Sequence, residues 1–154
     1  MATLKRAGKE KLFKGKLNHT KIEKMKNYLG RIIILVRNYE EATAFYEQNF
    51  GFKKIFDVTT NVGQRFLHIG TDPADALGIW FLKADGKEQK ERVGNQTCGQ
   101  PTMVIYTTSL EEVHRKLKEN NVRIKIEPVL TPEYKFLHCF DLYGNEIVVV
   151  EINE

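Results

Sequence analysis

The chain is written twice. RIIILVRN (31–38) is a run of β-branched and aliphatic residues, the composition of a buried strand, and TMVIYTTS (102–109) is another. Each run ends on a helix N-cap with an acid three residues on: Asn38 with Glu41, and Ser109 with Glu112. Apolar residues then recur at helical spacing, Ala42, Phe45 and Tyr46 in the first copy and Leu110, Val113 and Leu117 in the second. Gly51 stops one helix and Asn120-Asn121 the other. FKKIFD (52–57) and VRIKIE (122–127) lie 70 residues apart, as do RFLHIG (65–70) and KFLHCF (135–140). GIWFLK (78–83) and EIVVVE (146–151) lie 68 apart. Each copy therefore predicts strand–helix–strand–strand–strand. One helix covers one face of a four-stranded sheet and leaves the other bare, so two copies side by side can curve around a shared hollow. The expected fold is α+β: two tandem βαβββ modules forming a curved, cup-like mixed sheet with helices on the outer face. Module one spans 29–84, a polar, Gly-containing linker 85–101, and module two 102–152, together a single domain over 29–154.

A chain of 154 residues can bury about two-thirds of its unfolded surface, so neither disulfide nor metal is needed for folding. Its net charge of +4 is unevenly placed. Residues 1–28 hold nine Lys and Arg against two Glu, a balance of +7, which leaves −3 for the rest. This basic N-terminal extension could touch an anionic surface, but no aromatic interleaving or base-reading motif accompanies the lysines, so no specific nucleic-acid partner is expected. Thr20–Glu23 has the form of a capping box, leading into a short helix with Ile22, Met25 and Leu29. No apolar run approaches the roughly 20 residues of a membrane span, and no apolar core follows the N-terminal charges. Cys98 and Cys139 are isolated and form no CxxC. These features predict a cytoplasmic protein without membrane insertion.

VRNYEEATAFYEQNFGF (36–52) and FDLYGNEIVVVE (140–151) resemble two signatures of the vicinal oxygen chelate superfamily, "V-x-D-x-x-x-A-x-x-FY-x-x-x-LGF" and "DPxGNxIEL". That superfamily includes glyoxalase I, extradiol dioxygenases and bleomycin-resistance proteins. The resemblance covers about residues 29–152. It implies four inward metal-ligand positions, one pair per module, at the start of the first strand and the middle of the fourth. Here they fall on Arg31, Trp80, Thr102 and Val148. A guanidinium stays protonated, an indole offers only a donor, and valine offers nothing. A transition metal needs imidazole, carboxylate or thiolate in numbers. No metal or other cofactor is therefore expected. A slip in register would reach Glu146 or Glu151, but the Gly144-Asn145 turn fixes the strand.

Strand alternation predicts what faces the hollow. Arg31, Ile33 and Leu35 point inward, while Ile32, Ile34 and Val36 pack on the helix. Thr102, Val104 and Tyr106 point inward with Trp80, Leu82, Val148 and Val150. Between them stand Phe66, His68, Phe136 and His138, with Leu67, Leu137 and Cys139 on the helix side. The predicted ligand-binding set is Arg31, Ile33, Phe66, His68, Trp80, Thr102, Tyr106, Phe136, His138 and Val148. An apolar, aromatic lining with a few polar groups suits a small organic molecule, and Arg31 suits an anionic one. Arg31 could instead pair with an acid at the rim, and Trp80 and the phenylalanines could serve a core or an interface. Asp141 opens the DLYGN turn and reads as structural. The expected function is metal-free binding of an amphipathic or aromatic ligand. The alternative is a glyoxalase-like lyase, isomerase or dioxygenase using a non-standard metal site or His68 and His138 as an acid–base pair. Members of the superfamily commonly pair, so a homodimer is expected, by side-by-side or module-swapped contact.

Overall fold

The computed structural model describes residues 27–71 and 77–153. The basic extension and the Thr20–Glu23 capping box lie outside them, apart from the extension's last residues. Module one runs β1 (Arg31–Val36), α1 (Tyr39–Phe50), β2 (Lys53–Thr59), β3 (Arg65–Gly70) and β4 (Gly78–Lys83). After α2 (Gly86–Arg92), module two repeats the order with β5 (Met103–Tyr106), α3 (Leu110–Glu119), β6 (Ile124–Leu130), β7 (Tyr134–Phe140) and β8 (Glu146–Ile152). Each module builds a four-stranded sheet, β1-β4-β3-β2 and β5-β8-β7-β6. The first strand pairs parallel to the fourth, and the remaining pairs are antiparallel. The two sheets form separate ladders and do not close on one another.

Local chemistry explains the helices. The Asn38 side chain accepts from the backbone N–H of Glu40 and Glu41, and Ser109 accepts from Glu112. Gly51 ends α1 at φ +69°, a left-handed conformation that glycine adopts at little cost. The linker is not all loop: α2 lies within it. Asp85 caps its first N–H at 2.8 Å, and KEQKER is composed of good helix formers. None of its residues is buried, so propensity and capping hold it, rather than packing.

The core lies on the helix side of both sheets. Ile34, Val36, Leu67, Ile69, Ile79 and Phe81 meet Ala42 and Tyr46 of α1, while Leu137, Cys139, Ile147 and Val149 meet Leu110 and Leu117 of α3. All belong to one cluster, so the modules share a core. Polar ties reinforce it. The Tyr46 hydroxyl donates to Asp141 Oδ2 at 3.1 Å, and Asn120 Nδ2 donates to Asn49 Oδ1 at 3.0 Å. The Gln96 carboxamide of the linker behaves like a short strand against β1. It accepts from the Leu35 N–H at 2.7 Å and donates to the Ile33 carbonyl at 3.3 Å.

Candidate functional site

Opposite the helices, each sheet presents an open face, and the ladder registers fix its occupants. In sheet one Ile33 stands opposite Trp80, Trp80 opposite His68, and His68 opposite Phe56. In sheet two Val104 stands opposite Val148, Val148 opposite His138, and His138 opposite Ile126. His68 and His138 thus occupy equivalent places on their two sheets. Their neighbours Leu67, Leu137 and Cys139 are fully buried on the helix side. Burial, then the nearby Asp141, pushes the Cys139 thiol up to about 12, so it is a buried apolar group and not a nucleophile.

Module one gathers four of the sequence-derived site residues into one cluster. Phe66 stacks on Trp80 with centroids 5.4 Å apart, Trp80 tilts against His68 at 5.3 Å, and Phe56 lies on the other side of His68 at 5.2 Å. Arg31 Nε donates to His68 Nδ1 at 3.4 Å, and its Nη1 donates to the Gly30 carbonyl at 2.5 Å. Burial, then the Arg31 cation, holds the His68 pKa below its ordinary value. Two buried nitrogens in this cluster have no hydrogen-bond partner among the described residues: His68 Nε2 and Trp80 Nε1.

Module two is built differently. Tyr106, Phe136 and Val148 line an apolar groove of about 510 Å³ with Tyr134, Val150 and Ile152. His138, edge-on to Phe136 at 5.7 Å, is held by a carboxylate. Its Nδ1 lies 2.6 Å from Glu146 Oε1, and Lys125 Nζ lies 2.6 Å from Glu146 Oε2. Lys125, then His138, keeps the Glu146 carboxyl below its usual range, so it is ionised and His138 Nδ1–H is the donor. Thr102 stands apart from both groups. Its N–H donates to the Glu146 carbonyl at 2.8 Å, and it lines a second hollow of about 340 Å³ between β5 and module one.

Lys125 was missed in the sequence reading, and Glu146 was weighed there only as a metal ligand under a slipped register; the internal repeat explains why. Glu146 repeats the position of Gly78, and Lys125 that of Ile55. Both Ile55 and Lys125 sit at irregularities in their strand ladders. In module one Ile55 packs over Gly70 and Gly78; a Cβ on either glycine would stand 3.3 or 3.1 Å from Ile55 Cδ1. In module two the same corner holds an ion pair. Alternation, counted two residues back from Val148, would have put Glu146 on the open face.

The four positions at which the resemblance implies metal ligands do not fit a cation. Arg31 brings positive charge beside His68 and uses the lone pair of His68 Nδ1. Trp80, Thr102 and Val148 supply no imidazole, carboxylate or thiolate. Both oxygens of Glu146 are engaged, one of them by an ammonium. Among the described residues no three His, Cys, Asp or Glu side chains gather as a metal site would require.

The sequence model of the Glyoxalase/Bleomycin resistance protein/Dioxygenase superfamily matches residues 28–149. An uncharacterized protein of Shewanella frigidimarina is 23% identical over 132 residues, covering 84% of this chain and 97% of its own. A superfamily member from Sphaerobacter thermophilus superposes with a TM-score of 0.68 at 24% identity, covering 82% of this chain and 98% of its own. TnmS3, an antibiotic binding protein from Streptomyces sp. CB03234, superposes with a TM-score of 0.66 at 20% identity, covering 83% and 98%.

Proposed function

The chain belongs to the glyoxalase/bleomycin resistance protein/dioxygenase superfamily, and from that premise we propose that it is a metal-free binding protein for a small amphipathic or aromatic organic molecule, held on the open faces of its sheets. The observation that carries this reading is the chemistry of the family's ligand positions, where Arg31, Trp80, Thr102 and Val148 replace metal-binding side chains. The apolar groove and the stacked rings of module one supply area and shape for such a guest. The antibiotic-binding relative supports binding over turnover. A thermal-shift screen of hydrophobic antibiotics, phenolates and metabolite acids tests it. A ligand at 100 times its Kd adds about 2.7 kcal/mol, a Tm rise of roughly 5–11 °C. The recovered ligand should be chemically unchanged by mass spectrometry; a product peak would contradict the proposal.

One feature favours a second reading as a lyase or isomerase. Glu146 fixes His138 with its Nδ1 proton inward, which in the neutral ring leaves Nε2 as a base. Ligand turnover abolished by His138→Gln would establish it. We further propose a cytoplasmic homodimer whose basic extension (1–28) precedes a single two-module domain. The open faces expose Ile33, Val58, Val104, Tyr106, Val129 and Ile152, apolar area that a partner copy would cover.

A further inference from the structure

We infer that the open face of module one recognises a hydrogen-bond acceptor oxygen on a planar apolar ligand, through His68 Nε2–H and Trp80 Nε1–H. The inference rests on the ligand-binding reading and adds the chemical class of the group recognised. Its basis is the two buried nitrogens without partners, which belong to adjoining rings at directly opposed positions of β3 and β4. Buried polar atoms are ordinarily satisfied, and two orphans side by side in one cluster need a reason.

Their proton state follows from Arg31. A guanidinium only donates, so His68 Nδ1, facing Arg31 Nε at 3.4 Å, is the lone-pair nitrogen. The proton of the neutral ring is then on Nε2. Burial and the neighbouring cation both disfavour a second proton. The indole nitrogen is a donor in every state. The two unmet groups are therefore both donors, and their common complement is an oxygen with two lone pairs: a carbonyl, carboxylate or phenolate. Phe66 and Phe56 flank the pair, so the oxygen is best carried on a flat apolar frame. Module two offers no such donor pair: the position opposite His138 is Val148, which carries no donor, and the His138 Nδ1–H is already given to Glu146. The oxygen-bearing end of the ligand is thus assigned to module one.

The test uses three probes of one ring size: 1-acetonaphthone, 1-naphthoate and 1-ethylnaphthalene. Each is titrated calorimetrically into the full chain, with Trp80, the one tryptophan, as a fluorescence reporter. The two oxygen-bearing probes should bind at least about tenfold more tightly than the hydrocarbon. His68→Phe and Trp80→Phe should each remove about tenfold from those two and leave the hydrocarbon unchanged, while His68→Gln, which keeps a donor, restores part of the loss. Equal affinity for all three probes, or equal weakening of all three by the variants, would overturn the inference and leave ligand binding standing. No binding of any probe to the folded wild type would overturn ligand binding itself, and this inference with it. If His68→Phe fails to fold, Trp80→Phe decides alone: an undiminished preference for oxygen would sink the inference.

Discussion

His68 and His138 are one residue written twice, and their environments give them opposite hydrogen-bond characters. Arg31 takes the lone pair of one ring at Nδ1 and leaves it a donor at Nε2; Glu146 takes the Nδ1 proton of the other. The Phe-Leu-His echo made the pairing visible in the sequence. The difference was not visible, because Glu146 and Lys125 have no counterpart in module one, where Gly78 and Ile55 fill the corner by packing. Two pH effects follow. Unfolded His68 takes up a proton near 6.5, whereas folded His68 resists to lower pH. Its contribution to stability is complete above pH 6.5 and lost as pH falls through the lowered folded value, so denaturant melts of His68→Phe should lack that limb. Glu146 acts lower. Its contribution is present above the ordinary carboxyl range near 4.5 and is lost as pH falls below it. Glu146→Gln should flatten the acid limb and cost about 2 kcal/mol at pH 7, because Lys125 and His138 lose their anion.

At the scale of elements, the DLYGN turn joins the two modules as well as β7 to β8. Asp141 Oδ1 accepts from the backbone N–H of Tyr143, Gly144 and Asn145, each at 2.9 Å. Its Oδ2 accepts from Asn145 Nδ2 at 2.8 Å and from the hydroxyl of Tyr46 in α1. Sequence identified the aspartate as a turn former through its local spacing. The tie to Tyr46, 95 residues away, depends on how the helices meet and leaves no local signal. Tyr46→Phe should cost about 1 kcal/mol and Asp141→Ala about 3 kcal/mol or more, measured by urea denaturation. Gly94 is a second such joint. It holds φ +79° with its backbone against Tyr143, and a Cβ there would run into the Tyr143 carbonyl. Gly94→Ala should destabilise by at least about 3 kcal/mol in the same assay, whereas Gly99→Ala, with open space around its Cβ, should cost less.

At the scale of the molecule, the duplicated pattern made both sheets and both packed helices legible, because each module repeats the same period changes from strand to helix to strand. The helix within the linker was not, since a polar segment held by one cap lacks an apolar period. The arrangement of the site residues was legible only within each module. Alternation says which side of a sheet a residue takes, but not how two sheets stand to one another. Helix-side residues make one shared core and leave both open faces rich in exposed apolar residues. Light scattering should therefore give twice the chain mass, and Val104→Asp, at a half-exposed position of β5, should shift the chain toward monomer.

In the proposed function these faces bind an organic guest without a metal. Calorimetric titration of the best ligand from the thermal-shift screen tests it most directly, run on chelator-treated protein and again with zinc, nickel or manganese added. One Kd is expected in every condition, with the ligand recovered intact. Binding that appears only with a metal, and disappears on chelation, would contradict it.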